Sequence, residues 1–257
     1  MSRFARVFRA KWSAEIDSAI VSVPDTSLDK SGGTIREMFA GVAPRYDFLN
    51  HLLSGALDIS WRKKSAASLD LLENARVLDL CCGTGDQALA VRKRGGKVIA
   101  GDFCLPMLAL AERKYQRHAV RRPLGLAADA LDLPFGDARF DAATVSFGLR
   151  NVADLDLALR ELRRVLRAGG QIAILEFALP EARLLKTSYL FYFERILPLL
   201  GRLVSPKGSA YSYLPSSVLD FPQRASFLER LADAGFRDPR FRDLTGGTVC
   251  LYSGAAR

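Results

Sequence analysis

The chain has 257 residues, 49% of them hydrophobic and 25% charged, enough for one full core and cramped for two. No run of about 18 uncharged apolar residues occurs, which argues against a transmembrane helix. The four cysteines (Cys81, Cys82, Cys104, Cys250) form neither a CxxC pair nor a zinc pattern, so no metal site is expected from them. They read as small buried hydrophobes of a reducing compartment, with a vicinal redox pair at Cys81-Cys82 as the alternative.

The formal net charge of +9 is uneven. Residues 1–12 hold Arg3, Arg6, Arg9 and Lys11 with no acid, and Phe4, Val7, Phe8 and Trp12 fall at helical spacing. A membrane-surface anchor, a targeting peptide and a disordered arm are the competing readings of residues 1–33, which end in the linker Asp29-Lys30-Ser31-Gly32-Gly33. Residues 34–257 read as one domain. Helical segments are predicted near 34–53, broken at Pro44, and near 58–72. From residue 76 short apolar strands alternate with helices. Strands are predicted at 76–81, 97–101, 124–128, 140–146 and 171–177, with helices at 85–94, 105–118 and 154–166. This pattern implies right-handed βαβ crossovers and a doubly wound, mostly parallel α/β sheet of seven strands. A helix at 222–234 and an antiparallel hairpin, 240–244 and 248–252 around Gly246-Gly247, close it.

Gly83-Thr84-Gly85 after the first strand gives a tight turn through which backbone can approach a ligand. Asp102 closes the second strand 17 residues after Gly85, where a carboxylate can grip both hydroxyls of a ribose. Gly83 to Ala88 also matches a dinucleotide fingerprint, so an NAD-dependent oxidoreductase competes here. Asp79, four residues before Gly83, can reach the ammonium of a bound amino acid, and Asp129-Ala130 after the third strand can meet an adenine amino group. Together these acids favour S-adenosylmethionine; singly, each also reads as a helix cap.

Two longer runs are more specific. Pro44-Arg45-Tyr46-Asp47-Phe48-Leu49-Asn50 and Ser146-Phe147-Gly148-Leu149-Arg150-Asn151-Val152, with Leu175-Glu176-Phe177 and Leu244-Thr245-Gly246-Gly247, resemble the menaquinone/ubiquinone biosynthesis C-methyltransferases. These are class I S-adenosylmethionine-dependent enzymes with a Rossmann-like fold. The resemblance implies cofactor contacts at Thr84, Asp102, Asp129-Ala130 and Ser146, and a lid over residues 34–72 that includes Tyr46. It also implies a prenylated quinol as substrate. Residues 182–215 would form an insertion facing substrate and membrane, with the apolar run from Tyr189 to Leu200 drawing the quinol from a bilayer. The expected location is cytoplasmic, against the inner face of the membrane. A homodimer is left open, and the absence of a base-stacking platform argues against a nucleic-acid methyltransferase. A quinone-binding assembly protein of the same fold is the non-catalytic alternative.

Methylation at a ring carbon needs the quinol, whose phenolic hydroxyl titrates near 10, so the site must stabilise a phenolate. Arg150 is the candidate, as electrostatic stabiliser and positioner of water, with a structural salt bridge to a neighbouring helix as its competing role. Tyr46 packs either on the cofactor or in the core. His51 and His118 are the only histidines, and neither qualifies as a general base on sequence alone.

Overall fold

A computed structural model describes residues 28–118, 122–192, 195 and 209–257, the side chains of 209–212 excepted. Residues 1–27 of the basic arm, the apolar run beyond Tyr192 (Arg195 excepted) and the Tyr211 side chain therefore lie outside the described residues. The chain opens with α1 (Gly32–Val42), a 3-10 turn at Ala43–Arg45 where Pro44 breaks the helix, α2 (Tyr46–Ser54) and α3 (Leu57–Ser68). Gly55 at φ 59 ends α2 in the left-handed conformation that glycine accepts most readily.

The sheet strands are β1 (Arg76–Leu80), β2 (Lys97–Asp102), β3 (Leu124–Ala127), β4 (Phe140–Ser146) and β5 (Leu166–Phe177), then β6 (Phe236–Leu244) and β7 (Val249–Ala256). Their spatial order is β3-β2-β1-β4-β5-β7-β6, parallel except for β7, which runs antiparallel to β5 and β6. The chain winds outward from β1 to β3, then returns to lay β4 against β1. That reversal is the switch point where open α/β sheets bind ligands, at the carboxyl ends of the strands.

Helices cover both faces, which is why β1 and β4 carry apolar residues on either side rather than alternating. On one face α6 (Leu155–Val165) and α9 (Ala225–Asp233) pack Leu159, Leu162 and Phe227 against Leu78, Val145 and Ile174. On the other, α3, α4 (Asp86–Arg92) and α5 (Leu105–His118) set Trp61, Val91 and Tyr115 against Val77 and Ala142. Each such large side chain contributes roughly 1.5–3 kcal/mol on burial.

Three of the boundaries that differ from the sequence pattern have a visible cause. β5 begins at Leu166 because Leu166 pairs with Phe140 across a register shift. β6 begins at Phe236, ahead of Pro239; the irregularity between Arg237 and Arg240 accommodates that proline, and β6 is an edge strand. α9 starts at Ala225 rather than Pro222, since Arg224 takes φ 52 and its N–H donates to Tyr252 Oη at 2.8 Å. Two further helices, α7 (Arg183–Phe191) and α8 (Ser209–Asp220), occupy the insertion. Leu49 and Val218 form a small core there with Tyr189, Tyr192 and Leu214, joining the insertion to the lid.

Candidate active site

The turn after β1 is built by two glycines with different duties. Gly83 (φ 55) lines a cavity above β1 and β2, and a Cβ there would meet only Tyr46 and Met107 at ordinary distances. Gly85 (φ 86) faces inward, where a Cβ would lie 2.3 Å from Tyr115 Oη. Of the two, only Gly83 borders the cavity; Gly85 makes room for a buried tyrosine. Asp102 closes the cavity floor. Its Oδ2 accepts the Gly83 N–H and its Oδ1 the Cys104 N–H, both at 2.8 Å, so the carboxylate ties the ends of β1 and β2 together. Burial pushes its pKa up, and the backbone N–H groups oppose that.

Asp129, Ala130 and Ser146 line the same cavity. Asp129 Oδ1 also holds the Leu131 N–H at 2.9 Å, fixing the turn after β3. Ser146 Oγ is buried with no hydrogen-bond partner, so its hydroxyl is available to a ligand's polar group. A glycine approach, two carboxylates and an unpartnered hydroxyl fit a nucleoside.

Two of the expected contacts sit elsewhere. Thr84 is buried off the cavity wall, its hydroxyl donating to Asp47 of α2. Lys114 of α5 joins that knot at 2.6 Å from both Asp47 and Asp86, latching α2 to the loop. Asp79 is fully buried beneath the loop, both oxygens unpartnered, and does not reach the cavity. Burial raises its pKa to about 8, with the Arg62 guanidinium pulling the other way.

A second cavity of about 310 Å³ adjoins the first and is lined mainly by apolar side chains, among them Leu49, Leu53, Leu57, Trp61 and Leu214. Phe39, Tyr46, Phe147 and Asn151 belong to both walls. Phe147 turns the chain out of β4 with φ 63, and Gly148 follows because a Cβ there would sit 2.3 Å from Cys81 Cβ. The Phe147 ring stacks with Phe177 at 4.6 Å between centroids. Two guanidiniums bracket that stack, Arg62 over Phe147 at 5.3 Å and Arg150 over Phe177 at 5.2 Å.

Arg150 lies on the second cavity's wall, but its charge is already met. Nη1 donates to Glu176 Oε2 at 2.9 Å and to the Phe147 carbonyl, and the Arg150 N–H reaches Glu176 Oε1 at 3.3 Å. The competing structural role is thus realised, with the partner on β5 rather than on a neighbouring helix. Arg62 at the other end of the stack makes no ion pair or hydrogen bond to any described residue, and its Nε is buried and unpartnered. A desolvated cation–π contact returns about 2 kcal/mol, less than the several kcal/mol of desolvating a guanidinium. Nearby, Asp58 is buried and holds His51 Nδ1 at 2.9 Å and Ser54 Oγ at 2.9 Å.

Comparison with known proteins then decides the family. Residues 26–256 match the model of the ubiE/COQ5 methyltransferase family. The chain belongs to this family. A ubiquinone/menaquinone biosynthesis C-methyltransferase of Geobacter sulfurreducens is 43% identical, covering 88% of this chain and 90% of its own length. A demethylmenaquinone methyltransferase of Thermus thermophilus is 46% identical over 84% of this chain and 99% of its own. Among solved structures, a SAM-dependent methyltransferase of Thermotoga maritima superposes with TM-score 0.60 at 17% identity, covering 87% of this chain and 100% of that one. That likeness shows the class I methyltransferase fold. The dinucleotide reading of the glycine loop is not favoured.

Within a methyltransferase site, sequence reasoning passed over Asp47, Asp58, Arg62 and Glu176. Asp47 and Glu176 stood inside recognised motifs with no role. Arg62 follows Trp61 in a helix, and only the packing of α3 against β4 and β5 shows that it is buried.

Proposed function

We propose that the chain transfers the methyl group of S-adenosylmethionine to a ring carbon of a demethylated prenyl quinol, demethylmenaquinol or the benzoquinol of ubiquinone biosynthesis. The adjoining cavities carry this reading: one at the sheet's switch point that carries Asp102, Asp129 and Ser146, and a mainly apolar one beside it, sharing Phe39, Tyr46, Phe147 and Asn151. In-line displacement needs acceptor carbon and methyl about 3–3.5 Å apart, and the shared wall is where two ligands would meet at such range.

S-adenosylmethionine supplies an electrophilic methyl on a sulfonium. Asp102 and Asp129 hold ribose and adenine, Ser146 adds a hydroxyl, and Gly83 admits the ligand to the backbone. Tyr46 covers the cofactor from the lid and faces the acceptor on its other side. Thr84 acts through Asp47, and Asp79 acts from beneath the loop. Arg150, held by Glu176, presents a fixed dipole with Asn151, which orients the acceptor hydroxyl and water. Tyr213 lies on the same wall, its hydroxyl buried without a hydrogen-bond partner and its pKa pushed up to about 12 by burial. It stays protonated and donates.

The long prenyl tail accounts for the apolar cavity and for a peripheral contact with the cytoplasmic membrane surface. α2 leaves Phe48 and Leu52 exposed one turn apart, and α7 exposes Leu184 and Phe191. No helix among the described residues is long and apolar enough to cross a membrane. Incubation with methyl-labelled S-adenosylmethionine and each demethylated quinol tests the reaction. Label is expected on the ring carbon of at least one, and none on either sinks the proposal.

A further inference from the structure

We propose that Arg62 is the oxyanion-binding residue of the acceptor cavity, the cation that receives the acceptor's deprotonated hydroxyl during methyl transfer. The proposal rests on the quinol reading above and deepens it. Arg62 lines the acceptor cavity and not the cofactor cavity. It is 9% exposed, and none of its N–H donors is used by a described residue. Its guanidinium lies over Phe147, a ring on the wall that both cavities share.

Two arginines border the aromatic stack, and their electrostatics differ. Arg150 is paired by Glu176, so an anion approaching it meets a neutral ion pair. Arg62 has no such partner. Asp79, the buried acid that Arg62 attracts through space, forms neither an ion pair nor a hydrogen bond with it, and burial opposes the charged form of that carboxyl. The other titratable groups around Arg62 are Asp58 on its own helix, engaged by His51 of α2, with Asp86, Lys63, Lys93 and Arg94 along the outer cleft. A desolvated guanidinium without a counter-ion is poised for an anion, and the reaction generates one.

The step balances as follows. The acceptor O–H proton passes to water, and the phenolate oxygen takes N–H donors of Arg62. The ring carbon's electron pair forms the new bond to methyl while the methyl–sulfur bond breaks, its pair remaining on a neutral thioether sulfur. The ring carbon then loses its hydrogen as a proton and the oxygen regains one, for a net release of one proton.

The rival ligand for Arg62 is the carboxylate of the cofactor's amino acid, and the experiment separates the two. In Arg62→Met, turnover should fall on the order of 100-fold, while S-adenosylhomocysteine affinity by calorimetry stays within about threefold. The deficit should shrink as pH rises toward the acceptor's own pKa, and Arg62→Lys should recover part of the rate. A second readout needs no turnover: 1-naphthol bound to the wild type should show phenolate absorption at lower pH than free 1-naphthol, and bound to Arg62→Met it should not. Circular dichroism checks the fold, with Arg62→Lys as the substitute if Arg62→Met does not fold. A loss of S-adenosylhomocysteine affinity beyond about tenfold would assign Arg62 to the cofactor and overturn the proposal. So would an unchanged pH profile, or a naphthol titration identical in both proteins. A wild type inactive on both quinols overturns the quinol reading instead, and the naphthol titration still judges Arg62.

Discussion

Asp79 is the residue whose burial has the clearest thermodynamic signature. Its folded pKa of about 8 lies above the ordinary carboxylate value of 3.8, so the folded state holds a proton that the unfolded state releases. Stability from this group is fully present below about pH 4 and is lost as pH rises toward 8. Asp79→Asn removes that titration, so urea unfolding at pH 5, 7 and 9 should show a flatter profile and higher stability than wild type at pH 9. A variant that tracks the wild type at all three would show that Asp79 is ionised in the fold. Gly85 carries a steric prediction. Gly85→Ala places a methyl against the Tyr115 ring in a backbone region alanine disfavours, costing roughly 2–3 kcal/mol. Thermal denaturation measures it, and pairing the change with Tyr115→Leu should restore part of the loss.

Among elements, α2 joins the rest of the molecule by a charged knot rather than by apolar packing alone. Asp47, Thr84, Lys114 and Asp86 are partly buried, so their contribution exceeds that of a fully solvated pair but stays modest. Lys114→Met should loosen the lid and raise the cofactor's dissociation constant roughly fivefold, equivalent to about 1 kcal/mol, with little effect on global stability. Titration with S-adenosylhomocysteine reads this directly, and unchanged affinity would separate the knot from lid closure. The sequence reading placed α2 in a lid through its motif yet could not see the knot, because Asp47 and Lys114 are 67 positions apart. Elements whose pattern repeats toward a single core, such as α5 and β4, emerged with the boundaries observed. α7 and α8 did not, since α7 turns Leu184 and Phe191 outward and α8 carries Pro215 within it.

At the scale of the whole molecule, alternation of strand and helix was enough to read the sheet, its winding and its antiparallel end. Convergence on one cavity was legible where a motif sits at a strand's carboxyl end, as for Gly83, Asp102, Asp129, Ala130 and Ser146. The rest was illegible where burial decides, since charge alone could not tell Arg150, neutralised by Glu176, from Arg62, which has no such partner. The exposed apolar residues beside the acceptor cavity give a prediction at this scale. Replacing Phe48 and Leu52 together by glutamate should weaken sedimentation with anionic lipid vesicles at least severalfold, because two buried apolar side chains and an approach free of repulsion are lost together. Equal sedimentation of variant and wild type would remove these residues as support for a membrane contact.

Phe39, Tyr46, Phe147 and Asn151 form a party wall between two chambers, and a wall used from both sides carries messages. Whatever a ligand in one chamber does to those four residues alters the free energy of filling the other. Thermodynamic linkage makes the effect reciprocal: the factor by which cofactor strengthens acceptor binding equals the factor by which acceptor strengthens cofactor binding. If cofactor and acceptor fill the two chambers as proposed, they are coupled ligands of one partition, and each is felt through the other.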